Sequence, residues 1–137
     1  MLQQTHISEV RIMQFRLKTS KKTEEIYAYI FQREHLQPFA LAKISIALAL
    51  ESGFKVGHSP KLEDGDGLDL NRQTITGEND VLFKALIDLN EGKFIDEEEY
   101  FPDYVKQYID YGAKLLEQEM KYGHDFYTHL VSLEKGI

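Results

Sequence analysis

Residues 39–51 read FALAKISIALALE, a stretch whose only charges are Lys43 and Glu51. Pro38 suits the first helical position ahead of it and Gly53 suits the left-handed residue just past its end, so the run is expected to be a helix. Its apolar side chains fall nearly all the way round, and a helix of that kind must be enclosed on every side. In a chain this short one partner helix and a hairpin would not suffice, so a second subunit is expected to help bury it, with enclosure by the later helices of the same chain as the alternative. Ala40, Ala42, Ala47 and Ala49 let other backbones approach closely in either case. From Phe39 to Leu50 the run is too short to cross a membrane.

The flanking segments supply the rest of one domain. From Glu9 to Lys18 (EVRIMQFRLK) apolar and basic residues alternate as in a strand, with a slip of phase at Met13–Gln14 that implies a bulge or pairing of only one half. Thr19-Ser20 offers a cap for a helix running to about Glu34, with Glu24 and Glu25 in its first turns and Ile26, Tyr29, Ile30 and Arg33 along one stripe. His35–Pro38 forms the turn. Residues 54–78 are rich in Gly, Asp and Ser and read as a long loop with one extended piece, LDLNRQTIT. A helix follows over about 79–90, its inner face expected at Val81, Leu82, Ala85, Leu86 and Leu89, and Gly92 ends it. The last helical region spans about 103–133, interrupted or ended near Gly112 and Gly123. It carries Tyr104, Tyr108, Tyr111 and Leu115 as one stripe.

Charge is uneven. Residues 1–60 hold eight Lys/Arg against five acids, a net +3, while residues 61–137 hold eight against eighteen, a net −10. That asymmetry fits two kinds of partner, or a locally basic stretch arising by chance in an acidic protein. The chain has no cysteine, which excludes disulfides, cysteinyl metal sites and thiolate chemistry, and fits a cytoplasmic setting. No signal peptide is expected, since MLQQTHISEVR lacks a basic segment followed by an apolar run.

No catalytic residue, metal site or cofactor is expected. Gly92-Lys93 is followed by Phe94 and lacks the first glycine of a phosphate-binding loop. In Asp64–Asp69, Leu68 stands where a calcium ligand is needed and Asp69 where glycine is needed. His124 and His129 are five apart and do not share a helical face. The basic cluster Arg16, Lys18, Lys21 and Lys22 lies at a strand-to-helix junction, where lysine charges, free helix N–H groups and the positive dipole end together suit a phosphate. Ordinary solvated lysines at a helix start are the plainer alternative. The Asn71-Arg72 pair suits an arginine fork that holds the long loop onto the helices, with contact to a partner or a phosphate as the other option.

A basic strand, a capped helix, a proline-initiated turn and an apolar second helix resemble the ribbon-helix-helix arrangement, in which two chains pair their strands. The expected fold is therefore mainly α and a single domain over 1–137. A ribbon-helix-helix-like part lies at about 9–53, with the loop at 54–78 and a C-terminal helical part at 79–133. RLKTSKKTEEI, then Arg33, Leu36 and Pro38 before FALAKISIALALE, then LNRQTITGENDVLFKAL and YIDYGAKLL, resemble successive blocks of the DndE family of bacterial DNA sulfur modification. The block Leu70–Gly77 is the most specific. Glu34-His35 departs from the Thr-Gly more usual in the family's turn, and Tyr108 stands where a histidine is common.

The resemblance implies a non-catalytic, cytoplasmic accessory subunit of phosphorothioation, a homotetramer that holds double-stranded DNA, nicked DNA above all, by its backbone. Its implied partners are an ATPase-like protein and an iron–sulfur protein of the same restriction-modification type of system, with no membrane and no cofactor of its own. Carried over by position, Lys18, Lys21 and Lys22 become the DNA-contacting residues, with Arg16 and Lys43 beside them. In the alternative, a scaffold docks the modification enzymes through Asp96, Glu97, Glu98 and Glu99 together with the tyrosine stripe.

Overall fold

The computed structural model of the chain describes residues 15–57 and 63–122, apart from the side chain of Tyr122. Strand β1 (Arg16–Lys18) leads into α1 (Lys21–Glu34) and α2 (Pro38–Ser52). Next come β2 (Asp69–Asn71), the single turn α3 (Arg72–Ile75), a 3-10 turn at Gly77–Asn79 and α4 (Asp80–Glu91). The short α5 (Glu97–Glu99) and a π-helical turn at Tyr100–Tyr104 precede α6 (Val105–Tyr122). The fold is mainly helical, as expected. The expected strand residues Glu9–Gln14, and the helical residues 123–133 with Gly123, His124 and His129, lie outside the described residues.

The first half follows its sequence signals. The Ser20 hydroxyl accepts the Thr23 backbone N–H at 3.1 Å and caps α1, and Glu24 lies in the first turn where the dipole favours an acid. The helix ends at His35, held at φ 60° with its N–H donated to the Phe31 carbonyl at 2.9 Å. Pro38 opens α2 and Gly53, at φ 77°, closes it. On α1 the buried stripe is Thr23, Ile26, Tyr27 and Ile30. Tyr29 is 52% exposed instead of inward, its hydroxyl accepting from Arg33, while Tyr27 takes the interior place and bonds the Ser45 hydroxyl at 2.6 Å.

The strand finds its partner inside the chain. β1 and β2 pair antiparallel with Arg16 opposite Asn71, Leu17 opposite Leu70 and Lys18 opposite Asp69, which buries both leucines. Thr19 continues the ribbon through bonds to Leu68 and Gly67 at 2.9 Å. A side chain at Gly67 would meet the Ser20 carbonyl at 2.1 Å, so the loop approaches this closely only because the residue is glycine. The ribbon-helix-helix order is thus present, but β1 is paired with the chain's own loop rather than with a second chain's strand.

α2 is enclosed mainly by its own chain. α6 lies along it, with α1, α3 and α4 on its other sides, and Leu41, Ala42, Ser45, Ile46, Leu48 and Ala49 are buried. The closest approach is at Gly112, where a Cβ would sit 1.8 Å from the Ser45 carbonyl oxygen. Gly112 therefore does not interrupt α6, as its helix propensity suggested, but lets two backbones touch. Tyr104 and Tyr108 are buried, and Tyr111, partly exposed, stacks on Phe54 with ring centroids 4.3 Å apart. Tyr104 and Tyr108 of the stripe are therefore core, and Tyr111 reaches the surface.

α4 is turned the other way from the sequence expectation. Val81, Leu82 and Leu89 are 83%, 57% and 79% exposed, and Ala85 and Leu86 are also open. The inward stripe is Phe83, Lys84, Ile87, Asn90 and Glu91. It goes inward because its polar members find partners there. The Asn90 amide bonds the Phe54 carbonyl and the Tyr108 hydroxyl, Glu91 accepts from the Val56 N–H and Tyr108, and Lys84 lies 4.0 Å from the centre of the Phe94 ring.

Candidate nucleic-acid interface

The basic cluster is built from the β1–α1 junction. Alternation along β1 sends Leu17 inward, leaving Arg16 and Lys18 on the solvent side, and Lys21 and Lys22 are the first two residues of α1. All four side chains are exposed. Lys43 is on α2, partly buried, with its ammonium 5.8 Å from the centre of the Phe39 ring.

Three of the N–H groups at this junction are already occupied. The Ser20 N–H donates to the Asp110 carboxylate at 3.0 Å, the Lys21 N–H to the Asp64 carboxylate at 2.8 Å, and the Thr23 N–H to the Ser20 hydroxyl. Bonds from the Asp66 and Lys21 N–H groups hold the Asp64 carboxyl below the usual carboxylate range. Two donors of the expected phosphate cradle are therefore taken by the chain's own acids and a third by Ser20. What remains for an anion is mainly side-chain charge.

That charge is partly paired. Arg16 meets Asp69 at 3.4 Å, Lys21 meets Glu24 at 2.6 Å and Lys22 meets Glu117 of α6 at 3.4 Å. The bond and attraction from Glu24 raise the Lys21 pKa. Among the described residues, Lys18 and Lys43 form no salt bridge. Solvent screens exposed pairs of this kind, so a phosphate exchanges for the acid at little cost. The four cations of the junction remain available to a polyanion.

Beneath the cluster lies the residue that sequence reasoning missed. Asp110, 1% exposed on α6, accepts from the Ser20 N–H, from the Thr23 hydroxyl at 2.7 Å and from the Lys106 ammonium at 2.5 Å. Lys106 also donates to the Asp64 carbonyl at 2.7 Å, so one lysine ties the acidic loop and α6 together under the start of α1. An acid inside an apolar helical stripe was the available signal.

The second polar cluster is the arginine fork expected at Arg72. Its Nε and Nη2 bond both oxygens of Asp80 at 3.1 and 2.6 Å, it pairs with Glu97, and its guanidinium lies over the rings of Tyr100 and Phe101. Burial disfavours the Arg72 charge, but the bonds to Asp80 and Glu97 more than offset it and raise its pKa. Burial likewise works against the Asp80 carboxylate, and the bonds from Arg72 and Thr76 win, leaving its pKa lowered. Asn71 caps α3 by accepting the Gln73 N–H. Asp96, Glu97, Glu98 and Glu99 all lie at the surface, with Glu97 engaged by Arg72.

The comparisons agree with this architecture. The family model described as "DNA sulphur modification protein DndE" matches residues 16–123. No curated protein matches the sequence. Among solved structures, the chain is similar to DndE from Escherichia coli B7A, described as involved in DNA phosphorothioation modification. The TM-score is 0.62 at 18% identity, covering 74% of this chain and 95% of that one. At that identity the match speaks to the fold, and the fold is shared over almost the whole of the bacterial protein. The family match runs from β1 to the end of α6 and takes in both polar clusters, so the chain belongs to the DndE family of DNA sulphur modification proteins.

Proposed function

We propose that this member of the DNA sulfur modification system is a non-catalytic accessory subunit that holds duplex DNA by its backbone and works as a homo-oligomer. The observation that carries the reading is the exposed basic run Arg16, Lys18, Lys21 and Lys22 on one ribbon-to-helix junction. Point charges on flexible side chains suit phosphate oxygens, which carry no sequence information, and a nick adds backbone freedom without changing that chemistry. One copy offers few contacts against a net charge of −7. A symmetric assembly repeats the cluster and multiplies its local field, which makes oligomerisation part of the same reading. Reversing Lys21 and Lys22 to Glu should abolish binding to a nicked duplex while leaving the sedimentation of the protein unchanged. Unchanged DNA binding by that variant contradicts the assigned surface.

The acidic half supports a second reading, a scaffold that docks the modification enzymes and touches DNA weakly. Asp96, Glu98 and Glu99 lie at the surface on α5 and just before it. Neutralising these three, and leaving Glu97 to hold Arg72, should release partner subunits from a co-purified complex. Partner binding that survives the change counts against the scaffold.

A further inference from the structure

Between α1 and α6 lies a groove of about 520 Å³ that the backbone-holding reading leaves unused. Helical spacing builds one wall: Lys22, Ile26, Tyr29 and Arg33 follow one another up a single face of α1, and Met120 and Lys121 near the end of α6 stand opposite. Ile26, Ile30 and Met120 make its floor apolar. Tyr29 is 52% exposed, an aromatic ring that the core does not use. The Arg33 guanidinium lies 5.4 Å from the centre of that ring and donates to its hydroxyl at 2.5 Å, which fixes the ring in the groove.

We infer that this groove receives one unpaired nucleotide of the DNA whose backbone lies on Lys18, Lys21 and Lys22, with its base against Tyr29. The inference rests on the DNA part of the reading above and is independent of self-association. Continuity carries it first. Lys22 belongs to both the basic cluster and the groove, so a strand held at the β1–α1 junction reaches the opening without leaving its cations. Volume agrees, since sites for single small molecules run from about 300 to 1,000 Å³.

Charge selects the occupant. The rim carries Lys22, Arg33 and Lys121 against Glu25 and Glu117, with Lys22 and Glu117 3.4 Å apart. A phosphate chain or an acidic peptide lying inside meets both carboxylates and is repelled. A nucleobase is uncharged, its faces suit an aromatic ring beside an apolar floor, and its amino group donates to a carboxylate, as cytosine N4 does. The phosphates on either side of it stay at the rim with the three cations. A base inside a duplex has both faces stacked on its neighbours, so only an unpaired one can enter.

Fluorescence anisotropy with a fully paired duplex, and with the same duplex carrying one extra, unpaired cytosine, tests the groove. The wild type should prefer the second by about 5- to 100-fold, the worth of one base stacked on an aromatic ring. Tyr29→Ala should abolish that preference and leave affinity for the paired duplex unchanged, and Tyr29→Phe should keep it. Tyr29 lies outside the core, so both variants should keep the circular dichroism spectrum of the wild type. Equal binding of the two duplexes by the wild type, or a preference that survives Tyr29→Ala, overturns the inference alone. Binding to neither overturns the DNA reading and the inference with it. Free deoxycytidine monophosphate that shifts the Tyr29 ring resonances, while the wild type ignores the unpaired cytosine, identifies a free nucleotide as the occupant and overturns the assignment to a DNA strand.

Discussion

Asp110 caps a helix that begins ninety residues earlier in the chain: its carboxylate accepts the Ser20 N–H at 3.0 Å while Ser20 itself caps Thr23. The same acid takes the Thr23 hydroxyl and the Lys106 ammonium. Asp110→Ala leaves a buried amide, a hydroxyl and an ammonium without their acceptor. The loss should be about 3 kcal/mol or more in urea unfolding. Because the start of α1 carries Lys21 and Lys22, DNA affinity should fall with it.

Gly112 offers a contrast between steric and conformational glycine. Gly112→Ala drives a methyl into the Ser45 carbonyl, a backbone atom that cannot move without parting α2 from α6. It should cost at least about 3 kcal/mol. Gly53→Ala meets no atom within 4 Å and suffers only from its φ of 77°, about 1 kcal/mol. Thermal melts of the two variants side by side separate these causes.

His35 occupies a left-handed cap position at φ 60°, a conformation that glycine adopts with no Cβ penalty. His35→Gly should therefore stabilise the protein by about 0.5–1 kcal/mol, read as a higher Tm.

The Arg72–Asp80 fork makes stability depend on acid pH. The Asp80 carboxyl titrates below its unfolded value of 3.8 because the bonds from Arg72 and Thr76 outweigh burial. Its contribution is fully present above the unfolded pKa and is lost as pH falls through the folded one. Asp80→Asn should lower stability at pH 7 and flatten the decline as pH falls below the unfolded value of 3.8. Urea midpoints across that range provide the check. Arg72→Lys should resemble it in part, since an ammonium cannot span both carboxylate oxygens.

How much could be read from the residues depended on the range of the interaction. Ser20, Pro38, Gly53 and Gly92 mark helix ends through bonds within a few residues, and those ends stand where the sequence sets them. The fork at Arg72 was legible in kind, as a guanidinium bonded to carbonyls or a carboxylate, but its partners Asp80 and Glu97 were not. The face of α4 was not. Apolar residues were assigned inward, whereas Asn90 and Glu91 take that side because Phe54, Val56 and Tyr108 are there to satisfy them. Nor could β1 be paired from sequence with a strand 53 residues away, or Gly112 be told from a helix breaker without Ser45 in view. In the candidate interface the exposed cations were legible and the filled N–H groups were not, since Asp64 and Asp110 come from distant segments.

DNA holding through the β1–α1 cations is tested most directly by fluorescence anisotropy with intact and nicked duplexes of one sequence across a salt series. Tighter binding to the nicked duplex, with a log–log salt slope of about −3 or steeper, is the predicted result. Failure to bind either duplex at ~50 mM salt, where backbone contacts are strongest, would contradict it.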